Sequence, residues 1–305
     1  MNEIRGKRIL ITGYNGFIGK ALTKRLVDKN EVIGIDYTQP NTDDKEFVKY
    51  KMDVSEENFL DKFKEKVDLV FHFGSPSSNE LFKIDNYSNV KNSILGFINI
   101  MEYSKKASVE TVVFPSSGTV YGSSTSSNTR TLDPINSYGV VKLAHEKFAS
   151  IYSNFFKVRG LRIFMGYGPG EENKGDVASP VYLFLRDVLQ GKSPVIWGNG
   201  EQTRDVIYID DIIDVVLGCL GFKTDYPFFD VGTGINVSFL EILNIIRKLT
   251  NTQIEPIFIS KPNGYLENTR ADPTIAKAML GRNPMPIEKG IERFLLYLTQ
   301  LQTKE

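Results

Sequence analysis

The sequence predicts a doubly wound α/β fold, a parallel sheet with helices on both faces, followed by a smaller mixed α/β unit. Three observations carry this. Strand and helix patterns alternate from Arg8 to Phe164, as a right-handed parallel sheet requires. Runs such as Val67-Asp68-Leu69-Val70-Phe71-His72-Phe73 are mostly apolar, which suits strands buried on both sides. Beyond Gly166 the texture changes to Gly, Pro and charged loops with short elements between them, and 305 residues suffice for a large sheet core plus a lobe.

Composition narrows the function. Lys plus Arg and Asp plus Glu both number 37, so no overall field draws the chain to nucleic acid or an anionic membrane. The opening Met1 to Lys7 has no apolar signal region and no stretch approaches the length of a membrane span, so a cytoplasmic protein is expected. Cys219 is the single cysteine, which excludes an internal disulfide. His72 and His145 are the only histidines, so no zinc-type ligand set is expected.

The elements follow in order. Arg8-Ile9-Leu10-Ile11 is a strand and Ile18 to Val27 a helix. Between them Thr12-Gly13-Tyr14-Asn15-Gly16-Phe17-Ile18-Gly19 is a glycine-spaced turn, and glycines remove the Cβ atoms that would hold phosphates away from backbone N–H groups. Gly13 permits the tight turn, Gly16 lets the phosphate approach, and Gly19 lets the helix pack on the strand. Gly13, Asn15, Gly16, Phe17, Ile18 and Gly19 are thus the candidate cradle for a dinucleotide. Glu31 to Asp36 is the second strand; its terminal Asp36 would accept from a ribose diol and repel a 2′-phosphate, which favours NAD over NADP. Phe47 to Val54 alternates like a strand, ending where Asp53 could meet the adenine amino group and Val54 the ring face; a plain strand end would use the same residues. Val67 to Phe73 stops at the bend Gly74-Ser75-Pro76, and Phe73 and Gly74 join the cofactor set.

Ile84 to Lys106 carries apolar residues at helical spacing, and Thr111 to Ser117 is a strand ending in hydroxyls. The Ser/Thr-rich stretch Ser123 to Thr131 reads as a loop, Asn136 to Phe156 as a helix and Lys157 to Phe164 as a strand. Val181 to Gln190 is a short helix. Val206 to Ile209 and Phe228 to Val231 are strands, the second returning to the main sheet. Ser238 and Glu241 form a capping box that opens a helix reaching Thr250.

Tyr138 and Lys142 stand four apart on a predicted helix and share a face. A tyrosine, with a pKa of about 10, is a poor base at neutral pH; an adjacent ammonium and a positive nicotinamide would lower it. Tyr138 could then take a proton from a sugar hydroxyl while hydride leaves the same carbon, with Lys142 also holding the nicotinamide ribose. Ser117 would hydrogen-bond the substrate oxygen, and Ser116 is its rival for that role.

With these residues the chain resembles an extended short-chain dehydrogenase/reductase of the NAD-dependent epimerase/dehydratase family, nucleotide-sugar 4-epimerases most of all. The resemblance is carried by the glycine turn, Asp36, Asp53-Val54, Ser116 to Gly122, Ser137 to Lys142, Leu161 to Phe164, Tyr167 to Gly170, Gly198 to Asp205 and Asp210-Asp211. It implies a Rossmann-type NAD domain over 1–165 with return segments near 206–232, and a nucleotide-sugar domain over 166–205 and 233–305. It passes a diphosphate-gripping role to Arg204, whose guanidinium fork matches phosphate oxygens, and a second basic role to Lys261. Ser75, Ser117, Gly118, Thr119, Tyr138 and Met165 complete the implied substrate set. Asp210 and Asp211 read as helix caps, Cys219 as packing, His72 as structural, and Trp197 as either core or a wall for a base. The chain departs from the family's usual pattern in three places. Gly118 and Thr119 stand where dehydrating members place acids, so dehydration is disfavoured; Met165 replaces an Asn; and the loop reads His72-Phe73-Gly74-Ser75-Pro76 where the family more often has Ala-Ala at the last positions.

The function implied is an NAD-dependent epimerase acting at carbon 4 of a UDP- or GDP-linked sugar, a homodimer through its two long helices, supplying sugars for surface polysaccharides. A 4-dehydrogenase or 4-ketoreductase would use the same residues. A nucleotide-binding protein without turnover is a third class, against which the joint presence of Ser117, Tyr138 and Lys142 argues.

Overall fold

A computed structural model describes residues 4–38, 47–123, 131–224, 226–261 and 265–302. Most of the loop expected over 123–131 and the Pro262-Asn263-Gly264 stretch after Lys261 lie outside the described residues.

The first half builds β1 (Arg8–Thr12), α1 (Phe17–Leu26), β2 (Glu31–Asp36), β3 (Val48–Lys51), α2 (Phe59–Lys62), β4 (Leu69–His72), α3 (Asn79–Ile84), α4 (Asn86–Ala107), β5 (Thr111–Ser117), α5 (Ser137–Tyr152) and β6 (Lys157–Ile163). The second half adds β7 (Met165–Tyr167), α6 (Pro180–Leu189), β8 (Val195–Trp197), β9 (Thr203–Tyr208), α7 (Ile209–Gly221), β10 (Phe228–Val231), β11 (Asn236–Ser238), α8 (Phe239–Thr250), β12 (Ile257–Ile259), α9 (Thr274–Leu280) and α10 (Ile287–Gln302). Short 3₁₀ turns occupy Gly118–Tyr121 and Glu171–Val177.

Seven strands form one parallel sheet in the order β10-β6-β5-β4-β1-β2-β3. Period-two alternation divides its side chains between two cores. Ile9, Ile11, Phe71 and Val113 pack with residues of α1, α6, α7, α8 and α10 on one face, whereas Leu10, Val70, Val112 and Phe114 pack with α2 and α4 on the other. Both faces are therefore covered, as the apolar runs predict. The chain moves outward in opposite directions from β1 and β4, and the crevice between their carboxyl ends is where such sheets bind ligands.

Several elements differ from expectation for local reasons. The strand expected over Phe47 to Val54 is only four residues long, because Asp53 turns to accept from the Ser55 N–H at 2.8 Å and its hydroxyl at 2.7 Å. The long helix begins at Asn86, since Asp85 leaves helical geometry and caps it by accepting from the Ser88 N–H; Ile84 ends the preceding helix. The return segment divides: β9 pairs with β7 and β11 in a three-stranded sheet, and β10 alone extends the main sheet. Asp211 is no helix cap. It is fully buried, pairs with Arg282 at 2.6 Å and accepts from the Met285 N–H, fastening the C-terminal segment to α7. The Ser238–Glu241 capping box and the buried Cys219 are as expected. Among the described residues no helix is long and apolar enough to cross a membrane.

A buried chain of polar groups ties α5 to the sheet. Glu146 accepts from Ser116 at 2.5 Å and receives both prongs of Arg162, at 2.9 and 2.7 Å. Arg162 also donates to the Tyr121 hydroxyl, which donates to Asp230 on β10. Removing one partner of a buried pair strands the other charge. Glu146→Ala should therefore cost roughly 3–5 kcal/mol of unfolding free energy in urea titration, and Glu146→Gln less.

Candidate functional site

A cavity of about 690 Å³ opens at the carboxyl ends of β1, β4 and β5 and is shared with the second half of the chain. It brings together Gly13, Gly16, Phe17, Ile18, Gly19, Phe73, Ser75, Ser117, Gly118, Thr119, Tyr138, Lys142, Met165 and Arg204. Asn15, Asp36, Asp53, Val54, Gly74 and Lys261 do not line it.

The glycine turn fits a dinucleotide's pyrophosphate. Gly13 sits at φ +71°, and a Cβ there would stand 2.6 Å from the Gly74 nitrogen; at Gly19 one would overlap the Gly13 carbonyl oxygen. Only glycine lets the ends of β1, α1 and β4 converge so closely. No side chain caps the α1 N-terminus, which leaves its first N–H groups for an anion. Thr12 fixes the same junction: its hydroxyl accepts from the Gly74 N–H at 3.1 Å and meets His72 Nδ1 at 2.7 Å. Burial pushes His72 down to about 3, so it stays neutral in the core, the structural role expected of it.

Asp36 lies at the end of β2, where it accepts from the Asn15 N–H at 3.1 Å and from Thr38. A carboxylate has capacity for a ribose diol besides these bonds. Asp53 is occupied by Ser55, and Val54 is buried where the Cβ absent from Gly96 of α4 would meet it at 3.0 Å.

Tyr138 and Lys142 occupy the first turns of α5, whose N-cap Asn136 accepts from the Gly139 N–H. The Lys142 ammonium is 5.6 Å from the centre of the Tyr138 ring. Both are buried, which governs their protonation in the protein alone. Burial pushes the phenol up to about 12, opposed by a hydrogen bond with Ser117, and pushes Lys142 down to about 8. Desolvation is the larger effect on both groups. Ser116 is committed to Glu146, so Ser117 is the hydroxyl that meets Tyr138.

Arg204 is buried, with its guanidinium 4.9 Å from the centre of the Tyr265 ring and 5.5 Å from that of Phe239. It donates to the carbonyls of Thr203 and Glu267, and burial lowers its pKa. Its neighbour Asp205 points to the other side of β9 and accepts from Thr233, Gly234 and Ala271, which anchors the strand. Lys261 is held elsewhere, paired with Glu267 at 2.5 Å. Trp197 is a wall of the cavity, edge-on to Tyr265.

Sequence reasoning missed Lys83, Lys174, Phe239 and Tyr265, which also line the cavity. Tyr265 comes alongside β9 through a bridge between Thr203 and Asn268, a pairing without local signal. No group of three or more His, Cys, Asp or Glu side chains able to hold a metal occurs among the described residues.

Comparison with known proteins fits this geometry. The model of the NAD dependent epimerase/dehydratase family matches residues 9–227. A UDP-glucose 4-epimerase of Mycolicibacterium smegmatis is 30% identical, over 94% of this chain and 96% of that protein. The crystal structure of the Thermotoga maritima UDP-glucose 4-epimerase with UDP-glucose superposes with a TM-score of 0.90 at 26% identity, covering 97% of this chain and 99% of that one. The Bacillus cereus UDP-glucuronic acid 4-epimerase, in complex with UDP-glucuronic acid and NAD, gives 0.84 at 26% identity over 96% and 99%.

The depressed Lys142 carries a stability consequence. The unfolded chain binds the Lys142 proton up to the ordinary lysine value of 10.5, the folded chain only up to about 8. Stability from this group thus rises with pH between the two values, and its cost is fully present below about 8. Lys142→Met should stabilise the cofactor-free protein at pH 7 by up to about 3 kcal/mol, with the gain shrinking as pH approaches 10, in thermal melts across that range.

Proposed function

The chain belongs to the NAD-dependent epimerase/dehydratase family, and from that premise we propose that it is a nucleotide-diphosphate-sugar 4-epimerase, working by transient oxidation at sugar carbon 4. The observation that carries this is one cavity walled by the glycine turn, by Ser117, Tyr138 and Lys142, and by Arg204. UDP is the favoured nucleotide, because the similar proteins are named for UDP-sugars.

When bound, NAD supplies a hydride acceptor at carbon 4 and, in its oxidised ring, a positive charge beside the phenol. Tyr138 takes the proton of the 4-hydroxyl and later returns it. Its starting position, pushed up to about 12, makes the bound state's added charge and the Ser117 hydrogen bond necessary to the step. Ser117 donates to the substrate oxygen as negative charge develops there. Arg204 grips the diphosphate, exchanging partial compensation by carbonyls and rings for two phosphate charges. Held by its diphosphate, the keto sugar can turn and present its other face, and return of the hydride to that face would invert carbon 4. Asp36 holds the adenosine ribose, and Asp53 and Val54, which do not line the cavity, are assigned the adenine.

Incubation with UDP-, GDP- and dTDP-sugars, following NADH absorbance and product stereochemistry, tests the assignment. Inverted carbon 4 without NADH accumulation is expected; NADH accumulation with release of a 4-keto sugar would make it a dehydrogenase instead. Tyr138→Phe should lower kcat by about 10²- to 10⁴-fold while the purified variant keeps its NAD. Unchanged turnover would remove Tyr138 from proton transfer.

The same proposal includes a homodimer through α4 and α5, a cytoplasmic location and a place in the supply of surface polysaccharides. For the dimer the support is the exposed apolar side chains Tyr87, Val140 and Ile151, at 78%, 53% and 62% exposure on those two helices. Light scattering should give twice the chain mass for the native protein and a monomer for Val140→Glu; a native monomer would defeat the expectation.

A further inference from the structure

Lys174 belongs to the 3₁₀ turn over Glu171–Val177 and lines the same cavity as Gly13, Gly16 and Gly19. Its ammonium stands 4.2 Å from the centre of the Phe17 ring. Phe17 is the first residue of α1, so a full positive charge lies beside the helix end whose N–H groups lack a side-chain cap. The sequence gives no hint of this, because Lys174 is more than 150 positions from the turn it approaches.

The charge is poorly compensated within the chain. The carboxylate beside it, Glu171, is 3.6 Å away. That carboxylate is fully buried and already accepts from the Ser179 N–H at 2.6 Å and its hydroxyl at 2.9 Å. Burial holds Lys174 below the usual lysine range despite this neighbour. The Phe17 ring face offers the remaining attraction, which is weaker than an anion's. A half-buried ammonium with a shared counter-charge gains when a ligand supplies another.

We propose that Lys174 binds the pyrophosphate of the dinucleotide, adding a formal charge to the partial charge at the α1 N-terminus. This rests on the proposal that the site holds NAD, and extends it to a residue outside the glycine turn. Two diphosphates could reach a cation in this cavity, the cofactor's and the sugar nucleotide's. Contact with Phe17 places Lys174 with the first; Arg204, packed between Phe239 and Tyr265, serves the second.

The test is equilibrium binding by calorimetry with cofactor-stripped protein, titrating NAD, ADP-ribose and UDP separately into the native chain, Lys174→Gln and Lys174→Arg. Circular dichroism confirms that each variant is folded. Lys174→Gln should weaken NAD and ADP-ribose alike, by roughly tenfold to a hundredfold, the range for one charged hydrogen-bond partner. It should also flatten the salt dependence of both and leave UDP unchanged, and Lys174→Arg should recover most of the loss. Native-like NAD affinity in Lys174→Gln would overturn the proposal. So would a loss of UDP binding with NAD intact, which would give the cation to the sugar nucleotide. Neither result bears on whether carbon 4 is inverted, so this proposal and the epimerase assignment fail separately.

Discussion

The buried pair of Glu146 and Arg162 is the constraint on which the site depends. Tyr138, Lys142 and Glu146 recur every four residues along α5, so the helix that presents phenol and ammonium to the cavity presents its anchor in the same register. That anchor reaches Ser116, the neighbour of Ser117, on one side and Arg162 on the other. Tyr121 and Asp230 continue the chain to the sheet edge, where Asp230 also accepts from the Asp272 N–H. A continuous buried network of this kind is stiff, because slippage at any member leaves a desolvated polar group without a partner. The distance from phenol to serine is thereby held by a network of which only Ser116 also lines the cavity.

A second constraint is electrostatic. Lys142, Lys174 and Arg204 are all held below their ordinary pKa by burial around one cavity. Each costs stability in the protein alone, and each cost falls when an anionic group enters. The cavity is thus built against the apo state and toward ligands rich in phosphate. The phenol follows the same logic with opposite sign, since burial keeps its proton on until positive charge is brought beside it.

What the sequence made legible is what depends on spacing along one element. The glycine turn, Asp36 at a strand end, Ser117 at another, and Tyr138 with Lys142 on one helical face could all be placed without knowing the fold, because backbone geometry sets their relations. What escaped depends on distant segments meeting. Lys174 and Tyr265 approach the cavity only after the second half of the chain has packed on the first. Lys261, near Tyr265 in sequence, is drawn off to Glu267 instead. The early end of β3 has a local cause: Ser55, two residues on, engages the Asp53 carboxylate and turns the chain. Residue types place Lys142 beside Tyr138 but do not show how strongly burial acts on both, which is a property of the packed core.

The carboxylates lining the cavity bear on the choice of chemistry within the family. Eliminating water from a sugar needs a proton donor and a proton acceptor beside the carbonyl. Among the described residues the acids on the cavity wall are Glu80, Glu171 and Asp176. Glu80 is paired with Lys83 at 3.0 Å, Glu171 is taken up by Ser179 and Lys174, and Asp176 is paired with Arg186 at 2.8 Å. Beside Ser117 stand Gly118 and Thr119, neither of which exchanges protons near neutral pH, and a side chain at Gly118 would run into Phe164 at 2.7 Å. Gly118 is thus closed to an added acid by packing as well as by residue type. With Tyr138 as the proton-exchanging group at that end of the cavity, the chemistry the walls favour is reversible oxidation and return, which leaves every sugar oxygen in place.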